Sequence, residues 1–307
     1  MKQKLLAAAG ALLALGALLS GLPTVSAAGE APVAENLELS TYRGVSIGGM
    51  LSATDPDGGA LSFEITTSPV KGTIDLDADG HFVYTPADGK RGKDYFGYKA
   101  IDVDGNRSQE ATVIIRIEKQ KSKVVYSDTA GTDSAYAAAR LAEDGIFVGE
   151  CLAGDYVFSP DKAVTRREFL AMCMQVAGTE PLSDVKTTGF SDDAEIEVWA
   201  RPYVSTALRD GVISGYSDGQ TAATFDPDRE ISVMEAAVML DRAIGLTDAV
   251  TTWYRYDAVL PTWALQSASN VSACGLLPYG CSFTDETLSR GSAAEMLCAA
   301  LDVLENR

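Results

Sequence analysis

In the second half of the chain apolar residues fall at helical spacing, and they do so three times over. Trp199, Ala200, Tyr203, Val204, Ala207 and Leu208 recur at i, i+1, i+4, i+5, i+8 and i+9, which predicts one buried helix face. Gly211 ends that helix, and a second begins at Ser232 and buries Ala236, Ala237, Met239, Leu240, Ala243 and Ile244. The same signals occur earlier at Tyr136, Ala137, Gly145 and Thr165, and later at Trp263, Ala264, Gly275 and Ser289. Tyr126, Phe190 and Tyr254 stand 64 residues apart, and the three glycines 66 and 64 apart. A fixed period of this size predicts stacked supersecondary units that share one core. Each unit is a helix, a loop and a helix, with 20, 21 and 14 residues from glycine to second-helix cap.

From Pro32 to Glu118 the period changes to two. Leu61 to Ile65, His81 to Tyr84 and Ala111 to Ile117 alternate, Tyr95 to Tyr98 adds an aromatic strand, and Asp-Gly and Gly-Lys turns separate them. Such runs predict one all-β sandwich of about 90 residues. The block Lys119 to Lys123 reads as the linker that ends it. His81, between Gly80 and Phe82, is expected on the strand surface and not as a catalyst.

Lys2 and Lys4 precede an apolar run from Leu5 to Leu22, followed by Val25, Ser26 and Ala27. This pattern predicts a signal peptide over residues 1–27 and a secreted protein. No later run approaches the roughly 20 apolar residues of a spanning helix, so no membrane segment is expected after cleavage. A composition 46% apolar and 22% charged belongs to a folded chain of about two domains. The net charge of −18 argues against nucleic acid as a partner.

Cysteines Cys151, Cys173, Cys274, Cys281 and Cys298 all lie in the repeated region. Secretion permits disulfides, and the odd count leaves at least one thiol unpaired within the chain. Cys151 and Cys281 occupy equivalent loops, and Cys173 and Cys298 nearly equivalent helix positions. Cys151–Cys173 and Cys281–Cys298 are therefore candidate bridges; the alternative is that Cys173 and Cys298 are ordinary apolar helix residues. One histidine and no CxxC argue against zinc.

Ala53 to Gly58, Lys71 to Ile74, Gly80 to Pro86, Gly92 to Tyr98 and Asp102 to Gly105 resemble a bacterial cadherin-like, immunoglobulin-like domain. Asp55, Asp57, Asp102 and Asp104, with Glu35, offer the oxygen-rich set that calcium requires; they also read as turn residues accepting local backbone bonds. In the helical half, Phe190 to Asp192, Trp199-Ala200, Gly211 to Tyr216 and Val164 to Glu168 resemble bacterial S-layer homology domains. The expected architecture is therefore a sandwich over 32–118, a linker over 119–123, and an all-α module of three repeats over 124–185, 186–248 and 249–307. That resemblance implies non-covalent anchoring to pyruvylated secondary cell-wall polysaccharide, with polymer in grooves between repeats.

The family pattern centres on Thr-Arg-Ala-Glu at the start of the second helix. Thr165 with Glu168, and Ser232 with Glu235, are capping boxes that need no ligand and contribute about 1 kcal/mol each. Arginine is left over, because a cation faces the unfavourable end of the helix dipole there. Arg166 and Arg290 are read as anchors for an anionic group, helped by helix N–H donors, or else as solvated side chains. The second unit has Val233 in that place, and the third follows Arg290 with Gly291 and Ser292. Trp199 and Trp263 are read as sugar-stacking surfaces or as core. The leading functional expectation is a non-enzymatic surface protein whose sandwich is a spacer or adhesion head. A self-assembling, calcium-bridged lattice is the second, and a glycan-processing enzyme the third. Partners are wall polysaccharide, other surface proteins or further copies of the chain.

Overall fold

The computed structural model describes residues 29–217, 219, 222–250 and 260–307; residues 1–27, expected to be a signal peptide, and Tyr254 lie outside them. No helix among the described residues is long and apolar enough to cross a membrane.

The alternating half folds as two facing sheets. Strands β2 (Leu37–Tyr42), β9 (Ala111–Glu118), β8 (Gly92–Ile101) and β5 (Ser62–Thr67) form one, in that order. Strands β3 (Ile47–Met50), β7 (His81–Pro86) and β6 (Gly72–Leu76) form the other, and β1 (Val33–Ala34) pairs with β4 (Ala53–Thr54). β2 runs parallel to β9, while the other pairs are antiparallel. Every second residue of β9 turns inward, so Val113 and Ile115 are fully buried with Phe82, Tyr84, Phe96 and Tyr98. Burying a side chain of that size contributes about 1.5–3 kcal/mol, so this cluster supplies much of the sandwich's cohesion. The two tyrosines satisfy their hydroxyls inside it. Tyr98 donates to the carbonyls of Glu35 and Ser52 at 2.6 and 2.7 Å, and Tyr84 to Asp94 at 2.8 Å.

Among the described residues the helical half comprises three helix pairs: α1 (Ser134–Glu143) with α2 (Arg166–Val176), α3 (Arg201–Arg209) with α4 (Val233–Ile244), and α5 (Thr262–Ala273) with α6 (Arg290–Glu305). They share one continuous core. Each first helix stops in the same way. Gly145, Gly211 and Gly275 take φ of +70°, +75° and +66°, and the next residue's N–H reaches back to Leu141, Ala207 and Val271. That closure needs a left-handed residue, which glycine adopts without a Cβ clash. The module is not purely helical, because β10 (Glu150–Leu152) and β11 (Asp155–Val157) form a hairpin in the first pair's loop. Leu208, expected on the buried face of α3, is partly exposed, since the helix is only 9 residues long and rests on Val204 and Ala207.

The pairs close into a ring through their second-helix entries. Val164 N–H donates to Leu288 O, Leu288 N–H to Ile231 O, and Ile231 N–H to Val164 O, at 2.8–3.0 Å. One step further on, Arg166 N–H donates to Arg229 O, Val233 N–H to Glu286 O, and Arg290 N–H to Lys162 O. Each second helix therefore docks its N-terminus on the following pair, and the third docks on the first.

Candidate functional site

The ring geometry explains the tetrad residue by residue. Thr165 and Ser232 cap α2 and α4, each accepting from the N–H of Glu168 or Glu235, whose carboxylate receives the cap's own N–H. Ser289 caps α6 toward Ser292 in the same way, without the returning carboxylate. The first two N–H groups of α2 go to Arg229 O and Pro227 O. The expectation that helix N–H groups serve an anion is thus corrected: inter-pair carbonyls already occupy them.

Arg166 and Arg290 are neither solvated nor free. They are 5% and 4% exposed. Arg166 Nε donates to Phe225 O at 2.9 Å and Arg290 donates to Phe158 O at 2.7 Å, so each guanidinium bonds a carbonyl of the pair on which its helix docks. Sequence reasoning missed this, because a bond to a residue 59 or 132 positions away leaves no local signature.

Arg166 also lies in the wall of a groove of about 720 Å³, a size suited to a small ligand. Val212, Ile213, Val238 and Met239 line it with apolar surface, and Trp263 of the third pair lines it too. The Tyr216 ring centre is 4.5 Å from the Arg166 guanidinium carbon and 4.7 Å from that of Arg229. Tyr216 donates to Glu235 at 2.5 Å, Arg229 pairs with the same oxygen at 2.7 Å, and Arg166 lies 3.8 Å from the other. Burial pushes the Arg166 pKa down to about 10, against the opposing pull of Glu235. Exposed Arg242 lines the groove too and forms no ion pair with the described residues. Among the lining side chains Arg166 and Arg242 face one carboxylate, Glu235, in a chain of net charge −18, while Asp226 and Asp192 also act on Arg166 from outside the lining.

The other expected site residues fall elsewhere. Trp263 and Trp199 are 50% and 47% exposed, which removes the core reading, and Trp199 sits near Tyr203 outside this groove. The five cysteines are free thiols. The pairings Cys151–Cys173 and Cys281–Cys298 fail because Cys173 and Cys298 face the core, Cys173 toward the Met239 carbonyl, while Cys151 is exposed on β10. Burial raises the thiol pKa of both core cysteines.

The acidic turns bond the backbone around them. Asp55 accepts from the N–H groups of Asp57 and Gly59, Asp57 from that of Glu30, and Asp102 from those of Asp104 and Asn106. The Glu35 contribution is its carbonyl, given to Tyr98. Among the described residues no group of three metal-ligating side chains converges. His81 is also corrected, being 6% exposed because the helical module covers it.

A β-sandwich joined to a ring of helix pairs defines a modular protein in which a helical ring carries an immunoglobulin-like domain. Two segments match known families: residues 29–119 match the bacterial cadherin-like domain, and residues 189–237 the S-layer homology domain. The chain is similar to cell surface glycoprotein 1 of Acetivibrio thermocellus, 33% identical over 127 residues, 39% of this chain and 5% of that protein. It is also similar to the surface-layer 125 kDa protein of Lysinibacillus sphaericus, 28% identical over 147 residues, 47% of this chain and 12% of the relative. The cellulosome-anchoring protein of A. thermocellus is 29% identical over 130 residues, 41% of this chain and 27% of its own. The chain therefore spans between 5% and 27% of these relatives. Among solved structures, an endo-fucoidan hydrolase from glycoside hydrolase family 107 overlaps 33% of this chain and 15% of its own, at 23% identity and TM-score 0.25. That likeness is too low to bear on function. The S-layer homology domain and the surface relatives indicate a secreted protein of the cell surface or wall.

Proposed function

We propose that the three helix pairs are three S-layer homology repeats, over 124–185, 186–248 and 249–307, and that they anchor the protein non-covalently to an anionic, pyruvylated wall polysaccharide. The observation that carries this reading is the groove lined together by Arg166, Arg242, apolar Val212, Ile213, Val238 and Met239, and half-exposed Trp263. Its cations suit a carboxylate on the polymer, and its tryptophan suits a sugar face. The sandwich is then the spacer or adhesion head, and no catalytic role is assigned to either part.

The test is co-sedimentation of the mature protein with purified sacculi, before and after chemical removal of the wall polymer. Binding is expected to disappear with the polymer and to weaken in Arg242→Ala. Sedimentation indifferent to polymer removal refutes the anchor, and assembly without wall material favours a self-associating lattice instead.

A further inference from the structure

The ring contains a second copy of the groove, and the sandwich sits on it. A cavity of about 750 Å³ is lined by Tyr136, Leu277, Tyr279, Glu295 and Ala299. Counted from the repeat markers, these are the equivalents of Trp263, Ile213, Gly215, Val238 and Arg242, which line the first groove. The chemistry is inverted. Arg242 has become Ala299, Val238 has become Glu295, and the position of Arg166 is held by Val233. A groove that loses two cations and gains a carboxylate no longer suits an anionic polymer.

What occupies its mouth is this chain's own sandwich. Strands β2, β3 and β7 supply Leu39, Gly48 and His81 to the cavity wall. His81 stacks on Tyr279 with ring centres 3.9 Å apart and planes 3° apart, and Tyr42 packs on Tyr136 at 5.5 Å. Tyr279 donates to Asp79 at 2.7 Å, and Ser46 accepts from Gly131 N–H at 3.0 Å. We propose that this converted groove is a proton-dependent seat for the sandwich, closed in acid and loosened toward alkaline pH. The proposal rests on the anchoring reading only in treating the first groove as the polymer site.

The charges around Glu295 set the direction. Asp133, Tyr136 and Arg140 face it from the start and body of α1, Glu38 from β2, and His81 from β7. Tyr279 stands beside it in the loop after α5, and Cys298, Asp302 and Glu305 follow it on α6. Arg140 is engaged by Asp144 at 2.7 Å and by Glu305, so it does not neutralise Glu295. His81 lies 3.0 Å from Asp133 and 3.4 Å from Asp77. Burial, and then repulsion from Asp133, push the Glu295 carboxyl up to about 7, and burial raises Asp302 as well.

A raised carboxyl pKa means the seated form holds a proton that the released form gives up. Seating is therefore strongest below the ordinary value of 4.5 and weakens progressively up to about 7. The Asp79 carboxylate, held below its usual range by the Tyr279 bond, stays ionised through that window and keeps the bond.

Cys298 lines the cavity and is buried, whereas Cys151 is exposed, so thiol labelling of the whole mature protein reads the seat. With iodoacetamide, the ratio of Cys298 to Cys151 labelling rates should rise on the order of a hundredfold between about pH 5 and about pH 8. Glu295→Gln should flatten that rise, and Tyr279→Ala should raise Cys298 labelling already at about pH 5. A flat ratio in the wild type, a wild-type rise in Glu295→Gln, or unchanged labelling in Tyr279→Ala each overturns the seat. No polymer enters this assay, so its failure leaves the anchoring reading intact, and a failed sedimentation leaves the seat intact.

Discussion

Replacing Arg166 by alanine separates two jobs that the structure gives one side chain. The substitution removes the donor to Phe225 O, leaving a buried carbonyl short of its partner, which costs about 1–3 kcal/mol. It also removes the guanidinium that lies 4.5 Å from Tyr216 and 5.3 Å from Phe225, worth about 0.5–2 kcal/mol. Against these stands relief of a buried charge, since burial already depresses this arginine to about 10. A net loss of about 2 kcal/mol remains, spread over a helical module large enough that each kcal/mol moves the melting temperature by about 2–4 °C. Calorimetry should therefore show the module melting about 4–8 °C lower in Arg166→Ala. At a temperature where the variant is still folded, affinity for purified wall polymer should drop about tenfold or more, as expected for a lost charged hydrogen bond. Arg166→Met, which keeps most of the apolar stem, should recover part of the melting temperature and none of the affinity. A wild-type melting temperature refutes the joint between the first and second pairs, and a wild-type affinity in folded protein refutes the groove.

Trp263→Ala should leave stability within about 0.5 kcal/mol, because the ring is half exposed, yet reduce polymer affinity about threefold to tenfold; equal affinity removes the stacking role. In the sandwich, burial alone would raise Asp94, but Tyr84 and the N–H groups of Lys71 and Val70 outweigh it and hold the carboxylate below its usual range. A depressed folded pKa gives stability that is present above the ordinary carboxylate value and lost as pH falls through the folded one. Asp94→Asn should cost about 1–3 kcal/mol at neutral pH and flatten the acid limb of the stability curve; a wild-type acid limb contradicts the assignment. Reductant should leave the melting temperature unchanged, and a native thiol reagent should label Cys151 while sparing Cys173; a mobility shift on reduction would reinstate a disulfide.

How much of this was legible in the sequence depends on how local each interaction is. Capping boxes span four residues and glycine stops one, so Thr165, Glu168, Ser232, Glu235 and the three glycines announced themselves. The strands of the sandwich were equally visible, since alternation is read within 4–8 residues or so. Arg166 and Arg290 were flagged for lacking a local reason, but their partners could not be named, because ring closure joins residues that no window contains. The burial of His81 was invisible for a like reason: its cover, Tyr279, comes from the third helix pair. The hairpin at Glu150–Val157 was missed because its strands are only three residues each, too short to show a period.

The cyclic docking also changes what the imperfect arginine means. Each second-helix N-terminus belongs to a joint between pairs, so an arginine there describes the joint more than the repeat that encodes it. Arg166 serves the joint of the first pair on the second, and Arg290 that of the third on the first. Val233 marks the joint of the second on the third, where the loop from Gly275 to Ser289 is also the shortest of the three. That joint is the one whose neighbouring groove carries Glu295 and Ala299 and lies under the sandwich. Loss of the cation, shortening of the loop, gain of a carboxylate and arrival of a second domain coincide at one of three equivalent places. The proposed seat accounts for all four, since a groove that holds the sandwich needs no cation for an anionic ligand and gains a protonatable carboxyl.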